Sequence, residues 1–131
     1  MAARLEGLNK YLGTEILLTE GMEDAAKAAG FFCRPVGRFK FKGLDKIAKV
    51  YELLGERSGF DPEPAWVGRF RKALGHFNYQ EFSEARRCFE EALQLRGGTD
   101  GPSRFYLRQI EKLEQQDLDS DWFGLVKLDE K

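Results

Sequence analysis

The first part of the chain contains short apolar periods separated by glycines. Leucines recur at three- and four-residue spacing over residues 2–12, which predicts a helix there. The apolar run 16–19 predicts a short strand, and the alanine-rich stretch 20–29 predicts a second helix. Three further stretches have the aromatic, β-branched or alternating character of strands, namely 31–36, 38–42 and 47–54. Strands joined by short turns, with helices among them, predict an α+β layer structure.

The pattern changes after a segment that is rich in Gly and Pro. Residues 57–64 contain one glycine and two prolines, and these residue types restrict or break regular structure, so the segment is predicted to be a linker. Beyond it, apolar residues at helical spacing predict an antiparallel helical hairpin over 65–77 and 82–95, followed by a third helix that extends to Leu113. The final apolar run, 121–128, is expected to dock on a surface of the protein.

Composition narrows the class of protein. The 131 residues carry 21 Lys plus Arg against 22 Asp plus Glu, a net charge of -1, so the basic excess typical of nucleic-acid-binding proteins is missing. No apolar run approaches the length of a membrane span, and the N-terminal residues resemble no signal peptide. Cys33 and Cys88 have no metal-ligand spacing and are expected to be reduced thiols. We therefore expect a cytoplasmic protein whose present segment contacts neither membrane nor nucleic acid.

Few side chains are candidates for chemistry on the residues alone. His76 is the only histidine, so the sequence supports neither a histidine metal site nor a Ser-His-Asp triad. Residues 38–42 alternate basic and aromatic side chains, which fits either a nucleic-acid platform or, as we favour, an amphipathic strand with its aromatics inward. Cys88 is expected in a core. Five aromatic residues of the helical hairpin either fill its core or line a peptide groove: Trp66, Phe70, Phe77, Phe82 and Phe89.

A succession of motifs in residues 1–56 resembles the end of the catalytic domain of class III adenylate and guanylate cyclases. The first helix contains Ala-Arg-Leu-Glu-Gly-Leu-Asn-Lys, similar to the Asn-x-x-x-Arg-Leu-Glu helix of that family. The stretch 34–54 contains Arg-x-x-Gly, Lys-Gly and Val-Tyr-Glu-Leu in the order that the family's closing ribbon has them. The resemblance implies that residues 1–56 are the C-terminal portion of a ferredoxin-like cyclase domain, with the order helix, strand, helix, β ribbon.

The resemblance also implies a reaction and a site residue. Class III cyclases convert a nucleoside triphosphate to a 3′,5′-cyclic nucleotide and pyrophosphate, with two divalent ions, Mg²⁺ or Mn²⁺, held by two aspartates. The arginine that stabilises transition-state charge corresponds to Arg4. Guanidinium suits this role because it is always charged and presents a fork of donors to phosphate oxygens.

Other parts of that active site have no counterpart in this sequence. The family's ribose-orienting Asn would fall one position before Met1, and its metal-binding aspartates and base-selecting residues lie further upstream. Asp24 and Asp45 are not placed as a metal pair would be. We therefore expect a fragment of a bacterial cyclase that holds no cofactor or metal itself and is inactive alone. The parent is expected to be a homodimer.

A looser resemblance concerns the helical part, residues 65–131. Ala73, Ala85, Phe89 and Ala92 match the small, small, aromatic, small positions of a tetratricopeptide repeat. Since a lone repeat cannot bury its faces, the third helix or the first half of the chain must cap it. Similar helical tails follow the cyclase domain in some bacterial members. The alternative function is a non-enzymatic interaction or regulatory module whose helical tail binds a protein partner.

Overall fold

The computed structural model describes residues 2–41, 43 and 46–128, and within them the fold is mixed α+β. The elements in chain order are α1 (Ala2–Leu12), β1 (Leu17–Thr19), α2 (Glu20–Ala28), β2 (Phe31–Lys40), β3 (Ile47–Glu56), a 3-10 helix (Arg57–Phe60), α3 (Ala65–Asn78), α4 (Phe82–Leu95), α5 (Gly101–Leu113) and β4 (Leu125–Lys127). The chain forms two compact units. The first runs to Pro62 and also includes β4, and the second, which we call the helical unit, spans Glu63–Gly124.

The first unit is built on a mixed sheet with the strand order β1-β3-β2-β4. β3 lies antiparallel to β1 and to β2, whereas β4 runs parallel to β2. α2 packs against β1, β2 and β3. Three leucines of α1 are buried because their spacing places them on one helix face: Leu5, Leu8 and Leu12. The predicted α+β class is confirmed, and the order helix, strand, helix, ribbon is present.

One strand replaces two predicted ones. The sequence predicts separate strands over 31–36 and 38–42, but β2 continues without interruption through ten residues. Its pairing with β3 shifts register between Pro35 and Gly37, and Gly37 has a φ of 131°. Such a β-bulge accommodates an extra residue while the pairing of the two strands continues. Gly37, which the sequence pattern interprets as the boundary between two strands, therefore lies inside one strand. The remainder of these predictions falls on residues outside the described ones: Lys42, Leu44 and Asp45.

The predicted linker, residues 57–64, is partly folded onto the first unit. Its first half forms the 3-10 helix, and the ring of Phe60 stacks on Phe32 with the centroids 4.8 Å apart. The backbone N–H of Arg57 donates to the carbonyl of Gly30 at 2.8 Å. Stacking and hydrogen bonding therefore order a stretch whose composition alone predicts a linker.

The helical unit consists of the predicted hairpin and a third helix. α4 has the predicted bounds, and α3 ends one residue later than expected, at Asn78. α5 begins after Asp100, whose carboxylate accepts a hydrogen bond from the backbone N–H of Ser103 at 3.3 Å and so caps the helix. The small residues of the tetratricopeptide-like pattern are fully buried: Ala73, Ala85 and Ala92.

The C-terminal apolar run docks in two parts. Within the helical unit, Trp122 makes edge contacts with Phe77 and Phe82, with ring centroids 5.3 and 5.9 Å apart. The following residues form β4, which belongs to the first unit, whereas the sequence pattern groups all of 65–131 as one tail. The reason is that β4 finds its hydrogen-bonding partners on β2, a strand far away in the sequence.

Candidate functional site

Arg4 lies in the first turn of α1 and is half-buried. Its guanidinium is close to the connection between β2 and β3, since a Cβ built on Gly43 would lie 4.0 Å from Arg4 Nη2. Gly43 has a φ of 83°, a conformation that residues with a side chain rarely adopt. The fold therefore brings together the arginine of the Arg-Leu-Glu helix and the glycine of the Lys-Gly motif, which the sequence presents as separate pieces.

The end of β2 that leads to Gly43 is anchored by buried aromatic residues. Phe39 is 0% exposed and Phe41 is 1% exposed, and Lys40 pairs with Ile47 across the ladder. Because the rings face inward, the basic and aromatic alternation is that of an amphipathic strand. Bases could not stack on rings that are buried in this way, so the structure favours this interpretation over a nucleic-acid platform.

A buried ion pair joins β2 and β3 at their centre. Arg34 is 0% exposed, and its Nε and Nη2 lie 2.8 and 2.7 Å from Glu52 Oε1. The two residues are direct cross-strand partners, so the hairpin register itself places the guanidinium on the carboxylate. Both residues belong to motifs of the 34–54 stretch, but neither motif by itself indicates an ion pair. Arg34 lies in the predicted strand 31–36 and Glu52 in the predicted strand 47–54, and their opposite charges would have indicated the pair only if these two strands had been predicted to be neighbours.

A second group of ionisable side chains lies where α2 meets the sheet. Glu23 is 8% exposed and pairs with Lys27 at 3.5 Å along the helix. Burial raises the pKa of the Cys33 thiol, and the nearby Glu23 carboxylate raises it further. The pKa of Tyr51 is raised by burial and then by Glu23. Since only the thiolate is a good nucleophile, a raised pKa makes the Cys33 thiol less reactive at neutral pH.

The described residues include no cluster of candidate metal ligands. Among them, no group of three or more His, Cys, Asp or Glu side chains is arranged to hold a metal ion. Asp24 is exposed on α2, and Asp45 lies outside the described residues.

The other side chains of the helical unit that the sequence offers as candidates for chemistry or binding contact neighbouring residues or are buried. His76 Nδ1 lies 2.7 Å from Glu81 Oε1 next to the α3–α4 turn, and Cys88 is 1% exposed. Three of the five aromatic residues that could line a peptide groove are 0% exposed and therefore belong to the core: Phe70, Phe77 and Phe89. Trp66 is covered by the Arg96 guanidinium, 4.1 Å above its ring.

Comparison with protein-family models, with curated proteins and with solved structures finds no match. Within residues 2–41, 43 and 46–128, no helix combines the length and the apolar character that a membrane crossing requires. A functional proposal therefore depends on the residues of this chain and their geometry.

Proposed function

We propose that residues 1–56 are the C-terminal part of the catalytic domain of a class III adenylate or guanylate cyclase, with Arg4 as its transition-state arginine. The helical unit is then the tail of that enzyme. Support comes from the order of motifs in the sequence and from the matching order of elements, α1, β1, α2 and the β2–β3 ribbon. The ferredoxin-like assignment of this portion is part of the same proposal.

The position of Arg4 carries the proposal. A solvated surface arginine would have its guanidinium in open water, but this side chain is half-buried with Nη2 close to Gly43. A phosphate-binding arginine needs a held guanidinium, because binding energy is lost when a long side chain must be ordered during the reaction.

The chemistry assigned to Arg4 is charge stabilisation. When the ribose 3′-oxygen attacks the α-phosphorus of the nucleoside triphosphate, negative charge accumulates on the phosphoryl oxygens. A guanidinium donates two parallel hydrogen bonds to such oxygens and stays charged at every relevant pH. The family's metal ions, Mg²⁺ or Mn²⁺, neutralise phosphate charge when bound, and their ligands would come from the segments that precede Arg4 in the parent.

The present segment is therefore expected to be inactive alone and to act within a homodimeric parent. The test reads the codons that precede Met1 in the gene and expresses the whole reading frame. An Asn immediately before Met1, with two aspartates of the metal-binding type further upstream, is the expected result. A reading frame without them would remove the catalytic proposal.

The parent enzyme then allows Arg4 to be tested directly. Arg4→Ala should lower kcat for cyclic AMP or cyclic GMP formation with Mn²⁺ by about 10²–10³-fold and change KM little, because the contact strengthens only in the transition state. Arg4→Lys should recover part of the rate, because lysine keeps the positive charge but lacks the two parallel N–H donors of the guanidinium. Lys10→Ala is the matched control, because it removes an exposed cation from the same helix. An Arg4→Ala enzyme as active as the Lys10→Ala enzyme would refute the role.

A second candidate function is protein binding by the helical unit. It is favoured by an open depression of about 420 Å³ on this unit, lined by charged side chains of α3 and α4 and by the 53% exposed Leu95. The outcome that would support it is a partner that binds the chain and loses affinity with Leu95→Asp but not with Tyr79→Asp, a change at another exposed apolar residue of this unit.

A further inference from the structure

β4 is a short strand with buried side chains. It pairs in parallel with the last three residues of β2, with Val126 opposite Phe39, and the Leu128 N–H donates to the Lys40 carbonyl at 3.0 Å. Val126 is 4% exposed and Leu128 is 8% exposed. β4 therefore completes the apolar core of the first unit at the strand end that leads to Gly43.

The path from β4 to Arg4 is short. Val126 pairs with Phe39, Phe41 is buried two positions later, and Gly43 follows after two more. A Cβ built on Gly43 would lie 4.0 Å from Nη2 of Arg4, so the glycine is close to the guanidinium. If β4 left the sheet, the edge of β2 at Arg38–Lys40 would lose its hydrogen-bonding partner and the ring of Phe39 would lose an apolar neighbour.

The residues before β4 are fixed on the helical unit. Phe123 packs edge-on against Tyr79, with ring centroids 5.1 Å apart. A Cβ built on Gly124 would lie 1.8 Å from Asn78 Oδ1, so the backbone at 124 passes directly against the end of α3. The residues immediately before β4 are therefore packed within the helical unit.

We propose that β4 is a positioning element for Arg4, with Val126 as its principal residue: by holding the end of β2, it holds Gly43 beside the guanidinium. β4, Gly43 and Arg4 all belong to the first unit, so the coupling proposed here lies within one compact unit. The effect on catalysis rests on the proposed cyclase function. The coupling between β4 and Arg4 does not, and it can be measured in the present chain.

The structural test uses the 131-residue chain and three variants. Val126→Asp places a charge in the core, Val126→Ile keeps the apolar contact, and Lys127→Ala changes an exposed residue of the same strand. Nuclear magnetic resonance reads the amide exchange of Leu128, the amide signal of Gly43 and the Nε–H signal of Arg4. We expect Val126→Asp to accelerate Leu128 exchange at least tenfold and to shift the other two signals. The other two variants should leave all three signals close to those of the native chain.

The outcomes separate positioning from mere packing. If Leu128 exchange accelerates while the Gly43 and Arg4 signals stay unchanged, the proposal is overturned. If Val126→Asp fails to fold, Val126→Ala makes a milder cavity, and a graded shift at Gly43 and Arg4 is then expected. An unchanged Arg4 signal in that variant, despite faster Leu128 exchange, overturns the proposal equally.

The catalytic consequence is tested in the parent enzyme. Val126→Ala should lower kcat by about tenfold with KM nearly unchanged, Val126→Ile should restore it, and Lys127→Ala should match the native enzyme. An equal loss in the Val126→Ile enzyme would contradict positioning through this contact. A native parent without cyclase activity would refute the proposed function and leave the measured coupling between β4 and Arg4 intact.

Discussion

The two units differ in what they bury besides aliphatic side chains. The first unit, which we call the sheet unit, encloses an ion pair between Arg34, which is 0% exposed, and Glu52, which is 8% exposed. The helical unit instead has a cluster of aromatic rings, in which Phe89 and Tyr106 stack with centroids 5.1 Å apart. Its buried carboxylate, Asp100, caps the start of α5 and pairs with the partly exposed Arg96 at 2.7 Å.

This difference bears on how each unit specifies its structure. The charges of Arg34 and Glu52 are satisfied only if β2 and β3 pair in one register, because a shift of one residue would turn one side chain to the other face. The aromatic cluster excludes water without such a requirement, and apolar packing tolerates more rearrangement. The sheet unit therefore gains specificity from its buried ion pair, and the helical unit gains stability from area buried.

The largest effect is expected from Phe77→Ala in the helical unit. The Phe77 ring contacts four other rings and is 0% exposed, so its removal should lower the free energy of unfolding by about 4–5 kcal/mol. Tyr79→Ala removes a 68% exposed ring and serves as control, with an expected loss below about 1 kcal/mol. Urea unfolding followed by tryptophan fluorescence reports this unit, because both tryptophans lie in it. Equal losses for the two variants would contradict an aromatic core.

Glu52→Leu probes the buried ion pair of the sheet unit. It leaves the Arg34 guanidinium buried without its carboxylate and should cost about 3 kcal/mol. The double variant Arg34→Met with Glu52→Leu should recover most of that loss, since a well-packed apolar pair avoids the cost of a buried charge. Amide exchange of β2 and β3 measures both. A double variant that is no more stable than the single one would show that the pair does more than satisfy its own charges.

Gly124→Ala tests the point from which β4 departs. The residue has a φ of 76°, and a Cβ would lie 1.8 Å from Asn78 Oδ1, so we expect a loss of about 2 kcal/mol from backbone strain and steric overlap together. Gly98→Ala is the matched control: its φ is 85°, but nothing lies within 4 Å of its Cβ position. It should therefore lose only about 1 kcal/mol. Thermal unfolding that shifts equally in both would show that the contact with Asn78 is unimportant.

Tyr106→Phe is expected to change the free energy of unfolding least at neutral pH. Its effect should be clearest in alkaline solution. Burial raises the pKa of the Tyr106 phenol above its usual 10.0. The folded chain therefore keeps the proton when the unfolded chain releases it, and the stability that this group contributes is present below pH 10.0 and is lost as the pH rises further. Tyr106→Phe should flatten this loss in a series of urea titrations at increasing pH, and should cost only about 1 kcal/mol at pH 7. If the free energy of unfolding of Tyr106→Phe falls with pH above 10.0 as steeply as that of the native chain, the loss is due to other groups.

The stability of the sheet unit should also fall as the pH rises, in this case through the thiol of Cys33. Burial and Glu23 raise the pKa of Cys33 above 9.0, so its contribution begins to fall at a lower pH than that of Tyr106. Alkaline unfolding followed separately in β2 and by tryptophan fluorescence should distinguish the two units.

Local pattern predicted most of the elements because each depends on neighbours along the chain. Helical spacing of apolar residues identified α1, α3, α4 and α5, and α4 has the predicted bounds. The one strand predicted as two shows the limit of local signals, because Gly37 resembles a break until its partner strand is present to form the bulge. β4 was expected only as a docked segment, since three residues carry too little periodicity to predict a strand.

The candidate site could be predicted only in part. The role of Arg4 followed from a resemblance between motifs and stays a prediction, whereas its closeness to Gly43 depends on the tertiary fold, which brings α1 near the connection between β2 and β3. The Arg34–Glu52 pair joins residues 18 positions apart, and each charge taken alone is typical of an exposed strand face. Only the register of β2 and β3 shows that the two charges form a pair.

By itself, the sequence determined the α+β class, the existence of most helices and strands, and the apolar faces that they bury. These follow from periodicity and local backbone preference, which act over a few residues. The tertiary structure decided that β4 lies beside β2, that Arg34 meets Glu52 and that Arg4 lies beside Gly43. Such contacts join distant parts of the chain, and their formation depends on which partners bury apolar area and satisfy charge together, a property of the whole fold.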